Sequence, residues 1–499
     1  SHTLQISVKK SGQNYRGNQK LIFLRAFRAI SNLSKISSRY QLPSSHMDPK
    51  GMKPLSSETL FNLSPLDGRY ANDLQEVQDA FSESRLIRER IHVEMVYLKA
   101  FLNATGREDW WKDSYMSIYT DIDTKGLKAV KEIENRTKHD VAAVIEFIKG
   151  QLPEKVRPYV HFGLTSEDVN NLSHGLMMVA ARNILLKHLK GLIGELSSLA
   201  GDNRDRRMIG RTHGEIATPT TMGKELALYS LRFARMYAEL KDMNIQGKIL
   251  GATGNLNAFV GTYPDVNWFE LTREVVEELG LEHTLFSLQI MPGDTYATLL
   301  DSIKRLSGLL IDYDQNIWTY FMLAYLYQKA DASSIGSSTM PHKINPIKFE
   351  NSEGNAQLAE SLLTFFSQKF MKTRLQRDLT DSTVKRNIGT AFGHIVLAVI
   401  YAQRGTGDIL INDAKMDEEL ANNGQFFSEL VQLVERDRGA SDGYDHLKKQ
   451  TRGKRMSYAE MVDMMTEAGI EAETIETYVK GLTGEICDKA LAEVKQLIA

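Results

Sequence analysis

Long stretches of the chain carry apolar residues at three- and four-residue spacing, with little of the strict alternation that indicates strands. Only 11 prolines interrupt the 499 residues. Two of these stretches, 85–102 and 123–149, predict amphipathic helices, and Val141, Val144 and Ile148 mark one face of the second. The pattern therefore predicts a mainly α fold.

Four longer stretches with the same spacing predict the centre of the fold: 165–200, 220–246, 298–330 and 346–372. Each exceeds the ~10–14 residues of an average globular helix. A helix of about 30 residues is roughly 45 Å long, so its apolar stripe is expected to continue beyond one subunit and to pair with copies of the chain. We therefore expect a long-helix central bundle and a homo-oligomer.

Clustered glycines interrupt the helical pattern at 247–261 and again at 404–412. Beyond the second interruption, 416–435 and 472–498 predict short helices of a C-terminal domain. The bundle is thus expected to be flanked by two smaller helical domains. The predicted organisation is a basic extension at 1–56, an N-terminal helical domain at 57–164, the central bundle at 165–404 and the C-terminal domain at 405–499.

The charge balance excludes some classes of partner. Lys and Arg total 61 against 63 Asp and Glu, which gives a net charge of -2 and no global basic field for nucleic acid.

No stretch approaches the ~18 apolar residues of a membrane helix. Cys487 is the single cysteine, which excludes an intrachain disulfide framework or a thiolate metal cluster and favours a reducing compartment such as the cytoplasm.

The first 47 residues differ in composition from the rest of the chain. They contain eight Lys or Arg and many Ser, and the first acidic residue is Asp48. That composition is typical of a mitochondrial or plastid transit peptide. A disordered basic tail has the same composition, and both interpretations stay open.

A polar, glycine-bearing run, GSSTMPHKINP at 336–346, leads into one of the predicted long helices. Asn345 and Pro346 are residue types favoured at the N-cap and first position of a helix. A helix start with Lys343 just upstream is suited to hold a carboxylate through backbone N–H groups, the helix dipole and an ammonium group. From the residues alone, an ordinary capped loop remains an alternative.

The same run resembles the signature of the fumarase/aspartase superfamily, Gly-Ser-Ser-x-Met-Pro-x-Lys-x-Asn-Pro, and matches every fixed position. The resemblance implies a long-helix homotetramer that eliminates fumarate from a succinyl compound. It also implies that each active site combines residues of three subunits.

Other motifs bear on the leaving group. KHDV at 138–141, HFGLTS at 161–166 and RTHG at 211–214 resemble three histidine motifs of the adenylosuccinate lyase family. SPLDGRY at 64–70 and RDLTDSTVKR at 377–386 are similar to its phosphate-binding segments in their bacterial form. The resemblance implies elimination from adenylosuccinate to give AMP, and from the related imidazole carboxamide intermediate of purine synthesis. Argininosuccinate lyase, aspartase, fumarase and a non-catalytic helical scaffold remain alternatives.

The resemblance assigns a role to each residue of a catalytic set. Ser337 would be the base, with Ser338 as a rival, and His213 the general acid that protonates the departing nitrogen. His213 lies just upstream of Thr218 and Pro219, which are favoured at a helix start. Two further members, Lys343 and Asn345, would hold the carboxylate on which charge develops. The last member, Glu350, would orient His213.

A second set is expected to bind the small-molecule nucleotide. Forked guanidinium groups and hydroxyls suit a phosphate, although each arginine is equally compatible with a surface ion pair. Thr165 also has a structural reason to exist, since 165–168 fits a capping box. The elimination needs no Lewis acid, so no metal or cofactor is expected. The set is Arg69, Tyr70, His139, Asp140, His161, Thr165, Ser166, Thr212, Arg377, Ser382 and Arg386.

Overall fold

The computed structural model describes residues 61–329, 340, 343–439 and 456–499. The basic extension, Ser337 and Ser338 therefore lie outside the described residues. Within Leu63–Ala499 the chain forms one unit. The predicted domain boundaries stay predictions.

Helices dominate the described chain, which confirms the predicted mainly α fold. The helices are α1 Gln75–Phe81, α2 Glu83–Ala104, α3 Ser117–Thr120, α4 Thr124–Thr137, α5 Asp140–Gln151, α6 Ser166–Asp202, α7 Met222–Lys241, α8 Asn257–Thr262, α9 Trp268–Glu278, α10 Asp294–Met322, α11 Ile347–Phe370, α12 Thr380–Lys385, α13 Ile388–Thr406, α14 Asp413–Asn422, α15 Ser428–Asp437, α16 Tyr458–Glu467, α17 Ala472–Lys480 and α18 Thr483–Leu497. The strands are β1 Arg207–Thr212, β2 Glu215–Thr221, β3 Gln246–Gly247, β4 Glu282–His283, β5 Leu326–Gln328 and β6 Ile409–Ile411. They pair as β1 with β2 and β5 with β6, both antiparallel, and β3 with β4, parallel.

The centre of the fold is a bundle of long helices. Helices α6, α7, α10, α11 and α13 pack side by side. Leu189, Leu192 and Leu196 of α6 are fully buried in the core that these helices share. Helix α6 begins at a capping box formed by Thr165 and Asp168, as the sequence predicts.

The bundle has two ends, which organise the rest of the molecule. The first end holds the start of α6 and the segment after α11, because Lys385 of α12 contacts Glu167 of α6. The second end holds the finish of α6 and the start of α7, where Gly223 N donates to Asn203 O at 3.0 Å. The finish of α10 also lies there, because Thr319 and Tyr320 line one cavity together with Lys224 of α7. The start of α11 adjoins it, since Trp318 of α10 contacts Glu350.

Two smaller hydrophobic clusters lie beside the bundle core. One gathers buried residues of α2, α4 and α5, including Ile91, Val130 and Val144. The other gathers residues after the bundle, including Phe427 and Met461. Among the described residues, no helix has both the length and the apolar content to cross a membrane.

The predicted single helix at 123–149 is wrong. The chain breaks at Lys138, whose φ is 55°, and His139 caps α5 by accepting from Ala142 N at 3.2 Å. Periodicity alone does not reveal a break when both halves keep their apolar faces in phase. His139 therefore lies at a helix start and not on the flank of one long helix.

The predicted helix start at Thr218 and Pro219 is also wrong. Both residues lie in β2, and α7 begins at Met222 with Thr221 as its cap. Pro219 fits because strands of a two-stranded hairpin are edge strands, which tolerate a missing N–H.

Other helix boundaries differ from the predicted ones, and one helix was not predicted. Helix α11 is capped by Pro346, one residue after the predicted Asn345. The predicted helices at 416–435 and 472–498 are each divided, the second at Gly481. The buried helix α13 has no amphipathic stripe, because nearly its whole circumference faces the core.

Candidate active site

The loop before α6 holds several predicted substrate-binding residues at the first end. His161 adopts a left-handed conformation with φ 63°, and Tyr97 Oη donates to Phe162 O at 2.7 Å. Gly163, with φ 73°, turns the chain toward the cap at Thr165. A left-handed non-glycine residue persists only where surrounding contacts hold it, and such residues cluster at functional sites. These contacts therefore fix the backbone of the loop in one conformation.

A buried charge pair fixes the start of α6. Asp168 Oδ1 accepts from Lys248 Nζ at 2.8 Å and from Leu250 N at 2.9 Å, while Asp168 Oδ2 accepts from Thr165 N at 2.9 Å. The side chains of Asp168 and Lys248 are both fully buried. The carboxylate is thus satisfied on both oxygens.

The predicted phosphate segment 377–386 lies against this helix start. Lys385 Nζ is 2.9 Å from Glu167 Oε1, and Arg377 Nη1 is 3.6 Å from Glu167 Oε2. Burial lowers the pKa of Lys385, but Glu167 and Asp381 outweigh it, so the net pKa is raised and the ammonium is kept. Ser382, half-buried, lies in the same short helix α12.

The histidine motif KHDV at 138–141 meets the same segment. Asp140 Oδ2 accepts from Arg386 Nη2 at 2.6 Å and from Arg90 Nη2 at 2.7 Å. Burial raises the pKa of Asp140, but the two guanidinium groups outweigh it and hold the pKa at about 2. His139, whose side chain is 54% exposed, stands next to this carboxylate. Three separate predicted motifs therefore supply residues to one end of the bundle.

A cavity of 280 Å³ joins the two predicted phosphate segments. Ser64 and Asp67 of the first segment line it together with Arg386 of the second. Further along, Tyr70 Oη accepts from Asn351 Nδ2 at 2.9 Å, and the Arg69 guanidinium lies 5.7 Å from the Tyr70 ring centroid. The first segment thus runs from the cavity toward the start of α11.

At the second end, His213 is exposed at the tip of the β1–β2 hairpin. His213 and Gly214 have φ values of 55° and 81°, which is the type I′ turn that two-residue hairpins favour. Thr212 is exposed beside them. Below the tip, Arg211 donates to Tyr325 Oη at 2.8 Å and to Glu419 Oε2 at 2.5 Å, which ties the hairpin to α14 and to the residue just before β5.

The described part of the signature run lies at this end too. Lys343 is exposed and Asn345 half-buried in the segment that enters α11. Glu350, in the first turn of α11 as predicted, accepts from Trp318 Nε1 at 3.3 Å. Among the described residues no hydrogen bond joins Glu350 to His213.

Most of the predicted residues therefore form two sets at opposite ends of the bundle, whereas Arg69 and Tyr70 lie on the segment that runs from the cavity toward the start of α11. The 37 residues of α6 span about 55 Å, and the 24 residues of α11 span about 36 Å. His139, Asp140, His161, Thr165, Ser166, Arg377, Ser382 and Arg386 lie at the first end, and Thr212, His213, Lys343, Asn345 and Glu350 lie at the second. One chain does not bring the two sets into contact.

Several buried charged residues escaped sequence reasoning. Arg90 and Glu94 of α2, and Glu167 of α6, are 2% exposed or less. A signal exists for two of them, because Arg90 and Glu94 fall among Ile91, Val93 and other apolar positions of one predicted helix. Charged residues are almost never fully buried unless paired, so their position on a core face indicates a partner.

Comparisons with known proteins agree with the fold. A family model described as Lyase matches residues 68–359, and one described as Adenylosuccinate lyase C-terminal matches 373–485. The fumarate lyase structure from Mesorhizobium sp. BNC1 is similar with a TM-score of 0.69 at 17% identity, over 84% of this chain and 97% of that chain. At that identity the likeness shows the fold.

Two proteins found by sequence comparison have higher identity to the chain than this structure has. The chain is 37% identical over 430 residues to adenylosuccinate lyase of Haemophilus influenzae, which covers 83% of this chain and 94% of the relative. It is 38% identical over 439 residues to adenylosuccinate lyase of Escherichia coli K12, over 85% and 92% of the two chains. The resemblance seen in the motifs is confirmed, and the chain belongs to the adenylosuccinate lyase family of the fumarase/aspartase superfamily.

Proposed function

We propose that this protein cleaves adenylosuccinate by β-elimination, which releases fumarate and leaves AMP. The observation that carries the proposal is the match to adenylosuccinate lyases along more than four fifths of the chain. The signature run GSSTMPHKINP at 336–346 is complete and lies within the family-model match at 68–359. The related imidazole carboxamide intermediate is proposed as a second substrate, since it carries the same succinyl group on a nitrogen.

The proposed chemistry assigns one task to each residue of the catalytic set. Ser337 removes a proton from the carbon β to the departing nitrogen, and the C–N bond breaks as the Cα–Cβ double bond of fumarate forms. His213 gives a proton to the nitrogen as it leaves. Lys343 and Asn345 stabilise the carboxylate on which negative charge develops.

The proposed nucleotide site lies at the first end. Arg377, Lys385 and Arg386 provide cationic donors, and each has a carboxylate partner that fixes its position. A guanidinium has five N–H donors, so pairing with one carboxylate leaves others for a phosphate. Ser382 and Ser166 add hydroxyl groups to the same region.

A shared active site follows if both sets act on one substrate. The two sets lie at opposite ends of helices about 36 to 55 Å long, so a complete site needs ends from different chains. Antiparallel packing of bundle helices from two copies brings opposite ends together. This packing needs at least two copies, and we propose a homotetramer because that is the assembly that the family resemblance implies.

The bundle surface also supports assembly. Large apolar side chains of α7, α10 and α11 are exposed in the single chain, although such side chains are normally buried. They are Leu228, Trp318, Met322, Ile347, Leu358 and Phe365, with exposed fractions of 42 to 64%.

A direct ultraviolet assay tests the function. Purified protein is offered adenylosuccinate, the succinylated imidazole carboxamide, argininosuccinate, aspartate and malate, and fumarate release is followed. We expect turnover of the first two substrates alone. Turnover of argininosuccinate, aspartate or malate in their place would contradict the proposal, and inactivity of a folded tetramer toward all five would favour a scaffold. Light scattering on the same sample measures the oligomeric state.

We propose a cytoplasmic location, which use of a single cysteine favours. The alternative is a mitochondrion or plastid, if 1–47 is a transit peptide. Sequencing the N-terminus of the protein isolated from its source cell distinguishes the two, because a transit peptide is removed on import.

A further inference from the structure

Glu94 is a buried carboxylate that no step above uses. It lies in α2 and is 0% exposed, and its Oε1 is 2.5 Å from Nδ1 of His161. Its second oxygen, Oε2, is also buried and accepts no hydrogen bond from any residue that the structure describes. A buried carboxylate is costly unless a charge and hydrogen bonds compensate it. The imidazole of His161 is the group that contacts it.

The backbone holds His161 in place for this contact. Its left-handed conformation, with φ 63°, is bounded by the Tyr97 hydrogen bond to Phe162 O and by the cap at Thr165. Nδ1 faces Glu94, so the opposite ring nitrogen, Nε2, points away from α2. No described residue makes a hydrogen bond to Nε2, and the side chain keeps 19% of its surface exposed. The ring is fixed at one nitrogen and open at the other.

Charged groups around the ring favour its protonated form. Burial lowers the pKa of His161, but the charge and hydrogen bond of Glu94 and the charge of Asp168 outweigh it. Lys149 of α5 opposes them weakly, and the net pKa lies above its usual value. With Nδ1–H donated to Glu94, the imidazolium presents Nε2–H as a charged donor.

We propose that Glu94 is a positioning residue, which holds His161 as an imidazolium with Nε2–H donating to the phosphate of the nucleotide. The inference rests on the proposed function. Phosphate is the anion that the surroundings favour, because the loop that holds His161 enters α6, where Glu167 in the first turn pairs with Arg377 and Lys385. Charge-assisted hydrogen bonds of this kind are about twice as strong as neutral ones.

A second buried carboxylate on the same helix provides a matched control. Glu89 is 1% exposed and contacts His92 Nδ1 at 3.3 Å, so its burial and its histidine partner resemble those of Glu94, although Glu89 also pairs with Arg85 at 2.7 Å. His92 instead stacks on Tyr119, with ring centroids 4.2 Å apart, and it belongs to none of the predicted site motifs. Glu89→Gln therefore reproduces the loss of a buried charge in α2 without changing His161.

The first experiment compares Glu94→Gln with Glu89→Gln in the full-length enzyme. Glutamine keeps an oxygen that accepts from Nδ1–H but removes the charge. We expect the KM of Glu94→Gln for adenylosuccinate to rise about tenfold at pH 8, with a smaller change in kcat and a smaller defect toward pH 6. Glu89→Gln should keep the wild-type KM at both pH values. A Glu94→Gln defect in kcat alone, independent of pH, would contradict the proposal.

The second experiment separates phosphate binding from a structural role. Inhibition of Glu94→Gln by AMP should weaken by the same factor as KM rises, whereas inhibition by adenosine, which has no phosphate, should match the wild type. Equal weakening for both inhibitors would overturn the assignment to phosphate.

A double-mutant cycle with His161→Gln guards against a folding defect. His161→Gln should show the same loss of preference for AMP over adenosine, and adding Glu94→Gln should cost little more, because the two residues act as one unit. Unchanged AMP inhibition in His161→Gln would refute the inference even if Glu94→Gln does not fold. Wild-type protein that neither cleaves adenylosuccinate nor binds AMP would instead refute the proposed function.

Discussion

The separation of the two residue sets predicts that two inactive variants restore each other. His139→Gln alters the first end and His213→Gln alters the second. Helix α6 separates these ends by about 55 Å, far more than a pocket of the usual ~300–1,000 Å³ spans. If each site takes one end from each of two chains, random mixing gives both intact ends at about a quarter of the sites. The mixture should therefore recover about a quarter of the wild-type activity.

The assay is fumarate release at low adenylosuccinate, after equal amounts of the two variants are dissociated and reassembled. His213→Gln alone, treated identically, should keep only a few per cent of wild-type activity or less, since a general acid contributes about 10²–10⁴-fold. His139→Gln alone, which lacks a proposed substrate contact, provides the second baseline at low adenylosuccinate. Wild type mixed with the double variant provides the decisive control. Shared sites predict about a quarter of wild-type activity there as well, whereas sites within one chain predict about half. No recovery from the single variants, together with half activity in that control, would refute the reasoning.

Three further predictions concern single positions. Asp168→Asn should lower the free energy of unfolding in urea by about 3–5 kcal/mol, because it leaves the fully buried Lys248 without its counter-charge; a loss below about 1 kcal/mol would contradict this. Burial and the charge of Lys385 lower the pKa of His174 to about 3, so the unfolded chain takes up a proton below about pH 6.5 that the folded chain does not. The free energy of unfolding should therefore fall as the pH is lowered from 6.5 to 4. In His174→Gln this free energy, measured by circular dichroism, should change less with pH. Arg386→Leu should raise the KM for adenylosuccinate about tenfold or more, and an unchanged KM would remove its proposed phosphate role.

The proposed base, Ser337, is the one member of the proposed catalytic set that lies outside the described residues. Ser337→Ala should reduce kcat by at least about a hundredfold while the KM changes little, because removing a general base affects the transition state. Near-normal turnover would reject Ser337 and favour Ser338. The same ultraviolet assay measures Ser337→Ala and Ser338→Ala, and thermal unfolding checks that each variant is folded.

Local sequence signals account for much of the fold. The long helices, the capping box at Thr165 and the position of Glu350 in the first turn of α11 follow from periodicity and capping, which depend on residues within a few positions. Where prediction failed, the local signal was ambiguous. The break at Lys138 leaves the apolar face in phase, and the His213–Gly214 turn lies beside residues that equally suit a helix start.

For the candidate site, too, some features followed from the sequence and others only from the tertiary structure. The sequence by itself determined the family and the residue types of both sets, because those depend on identity and spacing. Only the tertiary structure decided that the sets lie at opposite ends of the bundle. It also decided that Glu94 meets His161 across 67 positions of the chain. Such contacts depend on how whole helices pack, and a helix pattern specifies which face is buried but not which partner it buries against.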